Sequence, residues 1–221
     1  MDRQVKKHVE RLLLERTHDQ LIRLSEIDMR YWKEVRFRLY DLNDNIRWAA
    51  VETVAGLMQR WWESGKKEKV RNYIRTLFWS LNDESGGIGW SSPQTVAEII
   101  MHIPELADPY ASMLIAHTFD EPPLVKGALW AIGRMGNIAF DSVNFFREKI
   151  LHVFQEDDGE TLGLAAWAMG EVGMKEALPH LRLLQKNDHD VHIYIHGEFV
   201  QKTVGAWASD AIKKISGGND V

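Results

Sequence analysis

Apolar side chains recur every three to four residues along most of the chain, which is the spacing of an amphipathic helix. The segment 46–62 is apolar on two stripes, one containing Ile46 and Ala50 and the other Trp48 and Val51. A helix that is apolar nearly all round must be covered on more than one side. The pattern therefore predicts a helix in the middle of a stack of helices.

Later segments carry apolar residues on a single face. In 141–154 the apolar positions Val143, Phe146, Ile150 and Val153 predict one amphipathic helix, and 176–186 has a similar pattern. The segment VHIYIHGEFV (191–200) differs because its apolar and polar residues alternate with a period of two around a His-Gly pair. It predicts a small β-hairpin, with Tyr194 on the polar face between His192 and His196.

The same unit recurs along the chain. FDEPPLVKGALWAIGRMG (119–136) aligns at an offset of 37 with EDDGETLGLAAWAMGEVG (156–173), so that Trp130 falls on Trp167. Upstream, WAAVETVAGLM (48–58) matches WSSPQTVAEII (90–100). Each copy is expected to have the same anatomy: an acidic, Asn- or Pro-bearing turn supplies an N-cap, a helix with small residues follows, and a glycine ends that helix in the left-handed C′ conformation. A fixed repeat of this length predicts a helical repeat array.

Asp157, AAWAMGEVG (165–173) and the following EALPHLRLLQKNDHDV (176–191) resemble the HEAT-like repeats of the phycobilisome-lyase type. The resemblance covers residues 42–215 and implies an all-α fold, an α-α superhelix or HEAT-like α-solenoid. We expect one domain over 1–221, with N-terminal capping helices in 1–41 and a disordered tail in 216–221. That repeat family consists mostly of scaffolds and adaptors, so the resemblance speaks for architecture more than for activity.

Composition narrows the function classes. The chain has no cysteine, which excludes disulfides, a thiol nucleophile and thiolate metal sites. No apolar run approaches the length of a membrane span, and the first twenty residues lack the apolar stretch of a secretory signal, so we expect a cytoplasmic protein without a membrane partner. A basic stretch from Arg60 to Arg75 is outweighed by the net charge of −5, so no nucleic-acid partner is expected.

No catalytic, metal or cofactor site is predicted either. The histidines at 189, 192 and 196 match no zinc spacing, and no Ser/His/Asp arrangement stands out. One loop, ESGGIGWSSP (84–93), departs from the repeat by three extra residues. Its glycines permit close approach of a ligand, and Ser92 before Pro93 is typical of a cap followed by the first helical position. The alternative is a long inter-repeat turn with no ligand.

The recurrent tryptophans at 48, 90, 130, 167 and 207 have two interpretations. They form either a concave aromatic surface or a core ladder, and burial is the more common fate of large aromatic side chains. The charged positions at which the repeats diverge are further candidates. The predicted binding residues are Glu84, Ser85, Gly86, Gly87, Trp90, Ser91, Arg47, Arg134 and Glu171.

The sequence therefore favours a non-enzymatic scaffold or adaptor that binds a protein or peptide on the concave face of a repeat array. The alternative, implied by the phycobilisome-lyase resemblance, is an enzyme or enzyme accessory that handles a small ligand such as a tetrapyrrole.

Overall fold

The computed structural model describes residues 2–81 and 89–217, which are almost entirely helical apart from one two-stranded sheet. The predicted all-α repeat fold is thereby confirmed. The chain forms two compact units, Met1–Ile103 (unit 1) and Pro104–Val221 (unit 2). Among the described helices, none has both the length and the apolar character that a membrane span requires.

Unit 1 is built around its longest helix. The unit contains α1 (Arg3–Leu14), α2 (His18–Ile27), α3 (Met29–Phe37), α4 (Asp44–Glu63), α5 (Lys67–Leu81) and α6 (Ser92–His102), with a 3-10 turn at Arg38–Tyr40. Helix α4 packs against both α2 and α6, and it also contacts α1, α3 and α5. Its two apolar stripes are buried together, as predicted for the segment 46–62. The three helices α1, α2 and α3, within residues 2–41, thus each contact α4.

Unit 2 is also built around one central helix, α11 (Gly159–Val172). It contains α7 (Ala107–Thr118), α8 (Pro122–Met135), α9 (Phe140–Phe145), α10 (Arg147–Leu151), α11 (Gly159–Val172), α12 (Leu178–Leu184) and α13 (Val204–Gly217). Helix α11 packs between α8 and α13. Helix α13 includes Ser216 and Gly217, the first two residues of the predicted tail, and the remainder of that tail lies outside the described residues.

The helix predicted for 141–154 is interrupted. Phe146 leaves the helical conformation with φ −96° and ψ 15°, which separates α9 from α10, and the last turn, His152–Gln155, is a 3-10 helix. Val143, Ile150 and Val153 are buried as the periodicity required. The spacing of the apolar residues is the same on both sides of the break between α9 and α10. Periodicity alone therefore could not show that the helix is interrupted.

The repeat register is correct in unit 2. Trp130 and Trp167 lie on the adjacent helices α8 and α11, with ring centroids 6.4 Å apart. Gly136 and Gly173 follow the ends of these helices, both with positive φ. Of these two, only Gly173 adopts the left-handed helical conformation, with φ 77° and ψ 30°, since ψ at Gly136 is −131°. The C-cap of α6 is Ile103 rather than a glycine, so the prediction of a left-handed glycine at the end of each copy is wrong for α6 and α8.

The predicted hairpin is present as β1 (Asp190–Ile195) and β2 (Glu198–Thr203), paired antiparallel. His196 and Gly197 form its two-residue turn with φ 49° and 94°, as a type I′ turn requires. The predicted position of Tyr194 on a polar face is wrong, since Tyr194 is buried between the exposed His192 and His196. Its backbone carbonyl accepts a hydrogen bond from Trp130 Nε1 at 2.7 Å, which holds the hairpin against α8.

The N-cap of α11 is Asp158, in the acidic turn that precedes the helix. Its carboxylate accepts from the Thr161 hydroxyl at 2.6 Å and from the Thr161 N–H at 3.0 Å, and Lys126 Nζ lies 3.1 Å away. The hydrogen bond from the Thr161 hydroxyl is the main reason that the pKa of Asp158 lies below its usual value.

Replacement of Asp158 by alanine is expected to lower the free energy of unfolding by about 1 kcal/mol near neutral pH, since the cap is lost. A lowered folded-state pKa gives stability that is present above the unfolded-state pKa and is lost as the pH falls through the folded value. The difference between the wild type and Asp158→Ala should therefore shrink from pH 7 to pH 3 in urea titrations. An equal difference at both pH values would show that the carboxylate charge contributes nothing.

Candidate functional site

Two of the predicted binding residues, Ser91 and Arg47, both contact the segment that follows α3. Ser91 Oγ donates to the Leu39 carbonyl at 2.8 Å, and Arg47 Nη1 donates to the Asp41 carbonyl at 3.0 Å. Trp90, the neighbour of Ser91 in sequence, is 56% exposed, whereas Ser91 is buried. The side chain of Ser91 therefore joins two chain segments, and the Trp90 indole is left largely exposed.

The start of α6 differs from its prediction by one position. Ser91 occupies the N-cap, Ser92 is the first helical residue and Pro93 the second, so the prediction that Ser92 is the cap is wrong. A Cβ at Gly89 would lie 2.4 Å from both Ser80 Oγ and Ser92 Oγ, which explains the need for glycine there. The other predicted members of this loop, Glu84, Ser85, Gly86 and Gly87, lie outside the described residues.

Arg134 and Glu171 belong to unit 2, on α8 and α11, and both are half-buried. Glu171 forms an ion pair with Lys214 of α13. It thus has a structural role in joining two helices that already pack closely.

The recurrent tryptophans divide into two groups. Those at 48, 130, 167 and 207 are buried, so at these four positions the core interpretation is correct. A Cβ at Gly133 would approach the Trp167 ring to 2.5 Å, which shows how closely α11 packs on α8. Trp90 is the exposed exception, at the position where the repeat is lengthened.

A groove that the sequence analysis did not identify runs across α2, α4 and α6 of unit 1, with a volume of about 560 Å³. Gly56 of α4 is part of its lining, and a Cβ there would come within 2.7 Å of Ile22 Cδ1 on α2. The charged side chains of the lining are mainly acidic. Its ionisable lining residues are Asp19, Glu52, Glu63, Glu98, Arg60, His18 and His102.

At one end of the groove, His18 is oriented by a hydroxyl. Thr53 Oγ1 donates its proton to the Ala49 carbonyl at 2.7 Å, and His18 Nδ1 lies 2.9 Å from the same oxygen. Because the hydroxyl proton is already used, Nδ1 must be the donor to Thr53. His18 Nε2 is left 3.1 Å from Glu52 Oε2, and Glu52 also pairs with Arg16.

The other end repeats this arrangement with different partners. His102 Nδ1 lies 2.8 Å from Gln59 Oε1, and the amide of Gln59 donates to Glu63 Oε1 at 3.0 Å. An amide oxygen only accepts, so Nδ1 is again the donor. His102 Nε2 faces the buried Glu98 at 3.6 Å. In their neutral forms, both imidazoles therefore place an acceptor beside a carboxylate.

These residues lie on three helices that are distant in sequence, which is why the repeat alignment did not combine them. A weak signal was present. Glu52, Gly56, Gln59 and Glu63 follow one another at helical spacing on the face of α4 between its two apolar stripes. Within residues 2–81 and 89–217, no group of three or more His, Asp or Glu side chains is placed to hold a metal ion.

No protein-family model matches the chain. A protein of Archaeoglobus fulgidus described as uncharacterized is 26% identical over 167 residues, which cover 74% of this chain and 85% of that protein. Among solved structures, a designed armadillo repeat protein in complex with the peptide (KR)4 superposes with a TM-score of 0.61 at 17% identity, covering 95% of this chain and 91% of that one. The likeness shows a helical-repeat fold, and the phycobilisome-lyase type of repeat stays a prediction.

Proposed function

We propose that this protein is a non-enzymatic scaffold that binds an extended peptide across α2, α4 and α6, with a basic side chain of the peptide in the acidic groove. The observation that carries the proposal is the composition of the groove, whose lining contains four carboxylates and one guanidinium. Helical-repeat proteins commonly bind their partners along the surface formed by successive helices.

The accessible charges of the groove favour a cationic ligand. Asp19 and Glu63 are exposed carboxylates of its lining and Glu52 is half-buried, whereas the two histidines in their neutral forms add no positive charge. A lysine ammonium brings three donors and an arginine guanidinium five, and neither brings an acceptor. A basic side chain therefore complements the groove in both charge and hydrogen bonding, whereas an acidic one would be repelled.

The fold comparison is consistent with this proposal. The designed armadillo repeat protein that shares the helical-repeat fold is described in complex with (KR)4, a peptide of alternating lysine and arginine. We take that peptide as the first ligand to test, because it carries the side chains that the groove would accept.

Fluorescence anisotropy with a labelled (KR)4 peptide tests the proposal. Glu63→Lys reverses one charge at an exposed position in the groove and is expected to raise the dissociation constant about tenfold, a factor that corresponds to about 1.4 kcal/mol. Glu68→Lys is the matched control, since Glu68 is also exposed but lies on α5 outside the groove lining. It should change the dissociation constant less than about twofold at physiological salt, where distant charges are screened.

Equal weakening by both variants would mean that the peptide responds only to net charge, and the groove would lose its assignment. A peptide in which glutamine replaces each basic residue should bind at least about tenfold more weakly than (KR)4. A visible absorbance band in the purified protein would instead support the alternative of a tetrapyrrole-type ligand.

A further inference from the structure

Two of the nine tryptophans are exposed, and they lie on neighbouring segments of unit 1. Trp79, near the end of α5, is 85% exposed and Trp90 is 56% exposed, whereas the other seven are buried. The Gly89 N–H donates to the Ser80 carbonyl at 3.0 Å, which joins the end of α5 to the chain that enters α6.

A third exposed ring belongs to the same region. The hydrogen bond from Ser91 Oγ to the Leu39 carbonyl brings the 3-10 turn after α3 to this place, and Tyr40 in that turn is 49% exposed. We call Tyr40, Trp79 and Trp90 the aromatic rim. Single exposed aromatic residues are common, whereas three on segments joined by hydrogen bonds are candidates for an interaction site.

Helix α5 adds positive charge to the rim. Arg71 and Arg75 precede Trp79 at intervals of four residues, so all three lie on one face of α5. Glu68 is the carboxylate beside them, with its oxygens 3.0 Å from Arg71 Nη1 and 3.6 Å from Arg75 Nη1. One carboxylate between two guanidiniums leaves this face, which we call the basic stripe, with a net positive charge.

We propose that the aromatic rim and the basic stripe together bind an acidic segment of a partner protein that also carries apolar side chains. Carboxylates of the segment would pair with Arg71 and Arg75, since guanidinium binds carboxylate in a two-pronged geometry. Its apolar side chains would cover the indoles of Trp79 and Trp90. Tryptophan, tyrosine and arginine are the residue types that contribute most to binding at protein interfaces.

The dimensions fit a short segment. Eight residues of helix separate Arg71 from Trp79, a distance of about 12 Å. About four residues of extended chain, or two turns of a helix, cover this length. A nucleic acid is a poorer match, because its affinity rises with the number of phosphates contacted. This face of α5 offers three cations, Lys67, Arg71 and Arg75, beside the carboxylate of Glu68, in a chain of net charge −5.

The surface is independent of the groove across α2, α4 and α6. The two would take ligands of opposite charge, and Trp79, Arg71 and Arg75 are not among the residues that line the groove. Binding of (KR)4 should be unchanged in a variant that loses the acidic ligand. Either proposal can therefore fail while the other stands.

Fluorescence anisotropy with a labelled peptide of three Glu-Asp-Leu-Phe repeats tests the proposal on the full chain. Trp79→Ser and Arg75→Glu are each expected to weaken binding by about tenfold or more, as for a residue in the energetic centre of an interface. Their matched controls are Phe145→Ser and Lys213→Glu in unit 2, where the side chains are 78% and 80% exposed. Each control should change affinity less than about twofold.

Three results would overturn the proposal. In the first, specificity is absent. Either the control variants bind as weakly as the test variants, or a peptide with serine in place of Leu and Phe binds as tightly as the original peptide. In the second, a single-stranded oligothymidine binds more tightly than the acidic peptide and loses affinity in Trp79→Ser, which would assign the surface to a nucleic acid. In the third, sedimentation shows self-association that Trp79→Ser abolishes, which would make a second copy of the chain its occupant.

Discussion

Replacement of Trp130 by alanine is expected to lower the free energy of unfolding by about 3–5 kcal/mol, the range for loss of a large buried aromatic side chain. Trp130 is 5% exposed, its ring lies 6.4 Å from that of Trp167, and its indole donates to the Tyr194 carbonyl. The variant would therefore lose apolar contacts and also leave a buried carbonyl without its donor, which adds to the cost.

The equivalent change at Trp90 is the matched control. Trp90 belongs to the recurrent tryptophans of the sequence but lies two residues before α6 begins, whereas Trp130 lies within α8. Because Trp90 is also 56% exposed, Trp90→Ala should cost less than about 1 kcal/mol. Urea unfolding followed by circular dichroism at 222 nm measures both variants under the same conditions. If Trp90→Ala were as destabilising as Trp130→Ala, the Trp90 indole would have to be part of the core.

The second large effect is expected at Gly170. A Cβ there would lie 2.7 Å from Ala211 Cα and 2.8 Å from Ala211 Cβ, so α13 would have to move away from α11. Gly170→Ala should therefore cost about 1–3 kcal/mol, as overpacking of a tight core does. The result is opposite to the gain of about 1 kcal/mol that alanine brings over glycine in an exposed helix.

Gly56→Ala in α4 provides the comparison. Its Cβ would meet Ile22 Cδ1 at 2.7 Å, the far end of a side chain that can rotate, while backbone atoms are not among its close contacts. The gain in helix propensity should then offset most of the repacking, and the net change should stay within about 1 kcal/mol. Thermal unfolding of both variants distinguishes the cases, and equal losses would show that Ile22 is as rigid as the α13 backbone.

The helices that matter most to the fold were predictable because their evidence is local or periodic. The two apolar stripes of α4 required neighbours on both sides, and α2 and α6 supply them. The period-two segment around His196 and Gly197 contained both the strand pattern and the turn residues. In each case the signal lies within about twenty consecutive residues, which a single sequence is enough to show.

Details that depend on distant contacts were not predictable. Tyr194 alternates with histidines as a polar-face residue would, but it is buried and its carbonyl accepts from Trp130 of α8. Ser91 looked like part of a ligand loop, whereas its hydroxyl is used by the Leu39 carbonyl. Both contacts join residues more than fifty positions apart, so no local pattern contains them.

The groove shows the same limit for function. Hydrogen bonds with Thr53 and Gln59 orient His18 and His102. Thr53 and Gln59 both lie on α4, whereas the two histidines lie on α2 and α6. Sequence periodicity identifies the faces of single helices, but the distance between side chains on two faces depends on how the helices pack. Candidate residues on one helix were thus within reach of the sequence, and the site they form was not.

The hydrogen bond between Trp130 and Tyr194 gives the two-stranded ribbon an unusual exchange behaviour. An isolated ribbon of this size is marginally stable in water, and its amide protons would exchange by local fraying. Here β1 packs closely on α11, since Val191 lies within 3.0 Å of where a Cβ at Gly163 would be. The indole of Trp130 on α8 also holds the ribbon through its hydrogen bond to the Tyr194 carbonyl. The amide protons that pair β1 with β2 should therefore exchange with solvent as slowly as the amide protons of α8 and α11. Their exchange would then report on the opening of those two helices.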